Sequence, residues 1–420
     1  VAELALLLLA LGCGGGAGGG DTATSGDGGA ADGGGTTDSG DTGADPAESD
    51  EALFRRAIAG EVEAGTALST IADRGGLPVA STEGYLFGCT CGAGDWALAG
   101  DFDGWKPLAM QHDGDLWWLE VPVPDPDGSL YKFVQGGSDY QADPLARRYG
   151  YDDNGEYSLV RATAAHLERW LDVGGDGLDG RSLRVWLPDG GAFTHALYAQ
   201  DGQNLFDPDA PWGGWQLQSS LPPELLVVGV DNTAARMDEY THVTDEIDGA
   251  FYGGEADAYA DLLTTIIRPK MEAAYGTALV NGVMGSSLGG LVSAHTVYRH
   301  PKDWDMAISL SGTMGWGSIG LNNVTEPELW AAAGHREVAL YIDSGGGGSS
   351  CQDADGDGVP DDDPDSSDNY CENAWFRDLM LASGYVMDVD LWHWWEPGAT
   401  HDEQAWADRV WRPLEIFASL

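Results

Sequence analysis

The chain has 420 residues, long enough for two domains and a tail. Its 69 acidic residues against 20 basic ones give a formal net charge of −49. No cluster of lysine and arginine is available to neutralise phosphates, which excludes nucleic acid as a partner and charge-driven binding to an anionic membrane. A solvated acidic surface, useful in salty surroundings, is the simplest reading of that charge.

At the N-terminus, Glu3 precedes an apolar run, residues 4–11, and then Gly12-Cys13. The run is too short to span a bilayer as a helix. It reads as the end of a secretory signal and resembles a bacterial lipoprotein signal, which implies lipidation at Cys13. It lacks a basic start and has Ala10-Leu11 where the usual order is leucine then a small residue, so a plain signal peptide stands as the alternative. Membrane contact is expected only through such an anchor. Residues 14–50 are glycine, serine, threonine, alanine and aspartate apart from Pro46 and Glu48, without an aromatic, so they form no core and act as a flexible linker. Random-coil scaling would place the body on the order of 30 Å from its anchor. A helical lead-in, 51–78, carries Leu53, Ile58, Val62, Leu68 and Ile71 on one rough stripe and ends at Gly75-Gly76-Leu77-Pro78.

From 79 to 162 the period changes to that of strands. Short β runs at 85–87, 96–99, 116–121 and 130–134 are separated by Asp103-Gly104, Asp113-Gly114 and Asp127-Gly128. Regular short strands with such turns predict a small β-sandwich. Ala99-Gly100-Asp101-Phe102-Asp103-Gly104-Trp105, then Tyr131-Lys132-Phe133-Val134 and Asp143-Pro144, resemble the early-set, immunoglobulin-like domain of the glycogen-binding type. That resemblance implies either glucan binding through exposed tryptophans or a purely structural role. Trp105 and Trp118 are expected to fill the sandwich core rather than to serve as sugar platforms.

Strands and helices alternate from residue 163 to the end. Strands are expected at 182–187, 194–199, 225–230, 306–310, 338–342 and 386–392, with helices at 257–275, near 373–382 and from 402. The continuous apolar run at 225–230 suits a strand buried on both faces. The expected fold class is α/β: an α/β-hydrolase with a mostly parallel sheet and helices on both faces, preceded by the small β-sandwich.

The chemistry centres on Gly285-Ser286-Ser287-Leu288-Gly289, set between an apolar strand and an amphipathic helix. In a G-x-S-x-G turn the central residue is strained and its hydroxyl stands exposed above the sheet. Ser287 is therefore the candidate nucleophile, with a bystander serine in a glycine turn as the alternative. The Leu288 N–H and the helix dipole would stabilise an oxyanion there. A serine needs a base. His401, in the polar loop Glu396-Pro397-Gly398-Ala399-Thr400-His401, lies C-terminal to the serine as the α/β-hydrolase order requires. His393 sits in the strand-like run LWHWW and His295 on the helix after Ser287, where packing explains both.

Leu197-Tyr198-Ala199-Gln200-Asp201-Gly202-Gln203-Asn204-Leu205-Phe206, Gly229-Val230-Asp231-Asn232, Arg236, Glu239-Tyr240, the serine turn, His300-Pro301, Ser309-Leu310-Ser311-Gly312 and His401 follow in order. Together they resemble the esterase D and enterochelin esterase-like family of serine esterases. The resemblance implies Ser287 as nucleophile, His401 as base, and the amides of Gln203 and Leu288 as the oxyanion hole. The family's acid follows the strand at 338–342. Here Asp343-Ser344 leads into four glycines and an acidic insert, 344–371. Asp368, just past the insert, is the preferred acid, with Asp343 and Asp353 as alternatives.

Within the insert, Asp353, Asp355, Asp357 and Asp361 alternate with small residues and glycine, an oxygen-rich pattern that suits a hard cation. It resembles the calcium loops of EF-hand and thrombospondin-repeat proteins, although Pro364 stands where an EF-hand has its bidentate glutamate. A structural calcium is expected, against a solvated acidic loop. Cys351 and Cys371 are the natural disulfide, closing this loop, whereas Cys89 and Cys91 would form a tight ring or stay reduced. These features point to an exported serine esterase of the bacterial envelope or its surroundings. It would need no cofactor for catalysis and act on an acylated carbohydrate or a siderophore-type lactone. The other class considered is a surface glucan-binding protein with a hydrolase scaffold.

Overall fold

The computed structural model describes residues 48–175, 177–210, 213–347, 351–360 and 368–420. Cys13, the signal-like segment, nearly all of the linker and Asp361 lie outside the described residues. Among the described residues no helix is long and apolar enough to cross a membrane.

The lead-in is two helices rather than one stripe: α1 (Asp50–Ile58) and α2 (Ala64–Arg74). Gly60, at φ 70°, turns the chain between them. Each start is capped by a side chain. Ser49 accepts from Ala52 N, and Glu63 accepts from Gly65 N and Thr66 N. Such caps are worth about 1 kcal/mol each. Leu53, Phe54, Leu68 and Ile71 share one apolar cluster with Leu86 and Leu116 of the strands that follow.

Those strands form two sheets. β1 (Val79–Ala80), β2 (Tyr85–Cys89), β5 (Gln111–Asp113) and β6 (Leu116–Val121) make an antiparallel sheet in the order β1-β2-β6-β5. β3 (Trp96–Gly100), β4 (Leu108–Ala109), β7 (Leu130–Gln135), β8 (Asp139–Gln141), β9 (Arg148–Asp152) and β10 (Gly155–Leu159) belong to the other. Phe87, Leu98, Tyr131 and Phe133, drawn from both sheets, share a core. Trp118 packs at the margin of the helical cluster, but Trp105 lies outside every core cluster. It is half-buried beside the exposed Tyr140, because its φ of 62° turns it away at the Asp103-Gly104 bend. The sandwich-core packing expected for both tryptophans is thus corrected: Trp118 turns to the helical lead-in, and Trp105 joins no core cluster. Cys89 and Cys91 are bridged, as are Cys351 and Cys371.

The second sheet does not stop at residue 162. β9 pairs with β11 (His166–Gly175), through Leu167 opposite Tyr149 and Glu168 opposite Arg148. β11 forms a long hairpin with β12 (Leu178–Leu187), and β12 runs antiparallel to β14 (Leu225–Val230). From there the order is β14, β13 (His195–Gln200), β17 (Val280–Ser286), β18 (Met306–Leu310), β19 (Ala339–Ser344) and β20 (Leu391–Trp395), all parallel. A short hairpin, β15 (Asp245–Ile247) with β16 (Ala250–Tyr252), stands apart.

Helices cover both faces of the parallel part. The alternation along β14 shows why its sequence is apolar throughout: Leu226, Val228 and Val230 enter one cluster, Leu225 and Val227 the other. The first cluster is closed by α3 (Arg236–Glu239), α4 (Ala256–Leu262), α5 (Arg268–Tyr275), α6 (Leu288–Arg299), α7 (Glu326–Ala333) and α8 (Tyr370–Ala382) or their flanking residues. The second is closed by Phe206, Trp215, α9 (Glu403–Arg409) and α10 (Trp411–Phe417). The single helix expected over 257–275 carries a π-turn at Leu263–Ile267. Pro269 lacks an N–H, and the widened turn before it absorbs that missing donor. The strand expected at 386–392 begins instead at Leu391, because Asp388 turns at φ 59°.

Candidate active site

β17 ends at Ser286 and α6 begins at Leu288, so Ser287 is the corner between them, at φ 55° and ψ −125°. A non-glycine residue in that region is strained and is held there by its surroundings. Ser287 N donates to Leu310 O at 3.0 Å, and Ser287 O accepts from Gly290 N and Thr313 N. The flanking glycines leave no choice of residue. A Cβ on Gly285 would lie 2.5 Å from the Gly289 backbone, and one on Gly290 2.5 Å from Ser309 Oγ. The expectation of an exposed hydroxyl is corrected: Ser287 is only 1% exposed, and its Oγ meets Thr313 Oγ1 at 3.3 Å. Thr313, brought in by the loop after β18, covers it.

His401 and Asp368 are brought together. His401 Nδ1 lies 2.7 Å from Asp368 Oδ1, and both side chains are buried. The Trp406 ring meets the imidazole edge-on at 5.0 Å. Asp368 Oδ2 accepts from Ser311 Oγ at 2.7 Å, from Arg409 Nη2 at 3.3 Å and from Gly345 N. With Nδ1 on the carboxylate, Nε2 is left for a substrate or nucleophile. No hydrogen bond joins Ser287 to His401 directly. The two ends meet through Thr313, whose Oγ1 also lies 3.4 Å from the amide of Asn369, the residue after Asp368.

The alternative acids are placed elsewhere. Asp343, next to last in β19 and fully buried, bonds Arg409, Tyr341 OH and Ser311 N. Burial raises its pKa, against the opposing pull of Arg409. Asp353 is exposed on the insert. Ser311, Thr313, Trp406 and Arg409 were not singled out from the sequence as individual site residues. For Trp406 and Arg409 the one signal is spacing, since Glu403, Trp406 and Arg409 recur every third position on one helical face.

Gln203 sits in a 3-10 turn, Gly202–Asn204, directly after β13. Its side chain is clamped by Asn232, which donates its backbone N to Gln203 Oε1 at 3.2 Å and receives Gln203 Nε2 on Oδ1. Asp201, at φ 55°, is held by Arg236 through two bonds of 2.8 Å. β13 neighbours β17, and a Cβ on Gly289 would lie 3.1 Å from Gln200 Cβ. The turn therefore rides beside the start of α6. Leu288, as first residue of that helix, has no carbonyl four residues back within it, so its N–H is free to bind an anion.

His295 lies away from this centre, between Asp257 Oδ1 and Glu326 Oε2, each at 2.9 Å, as packing against a neighbouring element required. His393 is within β20, and burial lowers its pKa to about 4. In the insert, Asp353, Asp355 and Asp357 bring carboxylate oxygens within 4.8 Å of one another. Ser318 Oγ donates to Asp357, and the loop 317–321 is fixed from behind by Asp245, which accepts four backbone N–H groups.

A mostly parallel sheet with helices on both faces, a strained serine at the strand–helix corner and a buried histidine–carboxylate pair beyond it define an α/β-hydrolase fold. The chain belongs to the esterase family. The family model described as "Putative esterase" matches residues 179–410, more than half of the sequence, and its class of chemistry is ester hydrolysis. The chain is 29% identical over 146 residues to the uncharacterized protein YbbA of Bacillus subtilis (strain 168), covering 32% of this chain and 57% of that protein. Among solved structures, it is similar to the enterobactin esterase FES of Shigella flexneri, at 13% identity and a TM-score of 0.43 over 80% of this chain and 93% of that one. It is also similar to an IroE-like serine hydrolase of Shewanella oneidensis, at 18% identity and a TM-score of 0.46 over 60% and 80%. The siderophore hydrolase EstA of Aspergillus nidulans is 16% identical, with a TM-score of 0.45 over 60% and 94%.

Proposed function

We propose that the protein is an exported serine esterase whose nucleophile is Ser287, whose base is His401 and whose acid is Asp368. The observation that carries this reading is the 2.7 Å bond between His401 Nδ1 and Asp368, formed beside a serine held at positive φ. Ser287 Oγ would attack an ester carbonyl while His401 Nε2 takes its proton. The oxyanion would be received by the amides of Gln203 and Leu288. His401 then protonates the leaving alcohol, and water activated by the same imidazole releases the acyl group. Asp368 holds the imidazole in the tautomer with Nδ1–H and stabilises its cation. The 3.3 Å contact of Ser287 with Thr313 must yield to His401 on substrate binding; catalytic bonds often tighten only then.

The substrate class proposed is an acylated carbohydrate or a siderophore-type lactone. The early-set character of residues 79–162 supports the first, and the family resemblance the second. Export rests on the signal-like start, with Cys13 as lipid anchor. A calcium ion in the insert would be held by Asp353, Asp355 and Asp357, hard oxygen donors already gathered, with Asp361 a further donor. Calcium should then raise the melting temperature and a chelator lower it; an unchanged melting temperature rejects the site. The decisive experiment on catalysis is labelling with a fluorophosphonate. A single adduct on Ser287 is expected, absent in Ser287→Ala. The other class, a surface carbohydrate-binding protein on a non-catalytic scaffold, is favoured by the half-exposed Trp105 beside Tyr140 and expects no adduct.

A further inference from the structure

Glu403 is nearly inaccessible, 2% exposed, yet it pairs with no base. It is the first residue of α9, two residues after His401, and its Oε1 accepts from Asn204 Nδ2 at 3.4 Å. Asn204 is the last residue of the 3-10 turn that carries Gln203, and it is buried too. Its Oδ1 has no hydrogen-bond partner. A carboxylate can only accept, so an ionised Glu403 leaves that oxygen unsatisfied. A neutral carboxyl can accept from Nδ2 and donate to Oδ1 together, in a cyclic acid–amide pair. We propose that Glu403 is a positioning residue which, in its neutral form, pairs with Asn204 and so docks the turn bearing the Gln203 amide onto the helix that follows His401. This rests on the serine-esterase reading and deepens it.

The surroundings favour the neutral form. Asp201 faces Glu403 from the loop after β13 with its charge already committed to Arg236 of α3, while Asp402 flanks it on its own segment. His401, Asp408 and Arg409 are the other titratable or charged groups of that segment; Asp408 is exposed and accepts from Gln404 Nε2, and Arg409 is occupied by Asp343 and Asp368. Burial foremost, then Asp201 and Asp402, raise the Glu403 pKa, against its own backbone N–H and the Arg236 charge, and leave it at about 7. Ionisation would also set a negative charge beside a turn whose task is to receive one.

The test uses the full chain, p-nitrophenyl acetate and the variants Glu403→Gln and Glu403→Ala. Wild-type kcat/KM should fall roughly tenfold as the pH rises through about 7, less than the hundredfold or more that follows loss of an oxyanion donor itself. Glutamine can form the same cyclic pair at every pH, so its profile should lack that fall. Alanine should be slow throughout and likewise lack the fall. A glutamine profile that keeps the wild-type fall, or an alanine variant as fast as wild type, overturns the proposal. Fluorophosphonate labelling separates the levels. A normal wild-type adduct with superposable pH profiles rejects the role of Glu403 alone; no adduct rejects the serine-esterase reading and this proposal with it.

Discussion

Arg409 serves two buried carboxylates, Asp343 and Asp368, but only Asp368 also reaches an imidazole. In the proposed mechanism that asymmetry separates a structural acid from one that orients a base. Asp368→Asn should lower kcat by about 10⁴-fold through loss of the correct His401 tautomer, measured at equal folded fraction. Asp343→Asn should instead act on stability, because half of a buried ion pair is removed. A cost of about 3 kcal/mol or more is expected in denaturant melts. Equal kcat in Asp368→Asn and wild type would reject the assignment. At this scale the sequence was informative about Ser287 and His401, whose proposed roles rest on a turn pattern and chain order. The proposed acid, Asp368, was harder, since the insert separates it in sequence from the end of β19 and only three-dimensional closure brings it to His401. Thr313 and Ser311 carry no local signal, because their importance comes from the loop after β18 folding back over the serine corner.

Helix α9 does at the level of an element what no single residue does: Glu403 meets the turn after β13, Trp406 meets His401, and Arg409 meets Asp368. The serine corner is equally collective. Gly285→Ala would drive a Cβ to 2.5 Å from the Gly289 backbone, which cannot move without moving Leu288. A loss of about 1–3 kcal/mol, with slower Ser287 labelling, is expected. On the far flank, His295 of α6 ties Asp257 of α4 to Glu326 of α7. Burial lowers its pKa, but Glu326 and Asp257 outweigh that and leave it raised to about 8. A raised histidine favours the folded state fully below its unfolded value, ordinarily near 6.5, and that contribution disappears as the pH rises through about 8. Wild type should therefore lose about 2 kcal/mol relative to His295→Gln between those limits, read from melts at several pH values. Element boundaries followed the sequence best where burial is two-sided, as in β14 and β18. They failed where a turn rather than hydrophobicity decides, as at Gly60, Asp388 and the π-turn before Pro269.

Over the whole molecule, the sheet joins what composition separates: Tyr149 of β9 packs in the same cluster as Leu167 of β11 and Leu197 of β13. Arg147 adds a bolt, donating to Arg169 O and Ala72 O with its guanidinium 3.8 Å over Trp170. The charge acts on this body as a unit. Among the described residues, ion pairs take up thirteen of the 20 basic residues, for example Arg181 with Glu239 and Arg184 with Asp231, so few cations remain to offset a net −49. Most of the excess carboxylates therefore repel one another through solvent, where the screening length falls from roughly 30 Å at 0.01 M salt to about 10 Å at 0.1 M. Unfolding spreads these charges, so repulsion favours the unfolded chain at low salt. The melting temperature should rise steeply as sodium chloride is added up to about 0.3 M and then level off, because screening saturates once the Debye length is shorter than the spacing between surface charges. Burial-type effects of salts behave differently, growing steadily with concentration and more strongly for sulfate than for chloride. A rise that continues linearly to molar salt and follows the anion's identity would assign the stabilisation to solvent exclusion rather than to relief of charge.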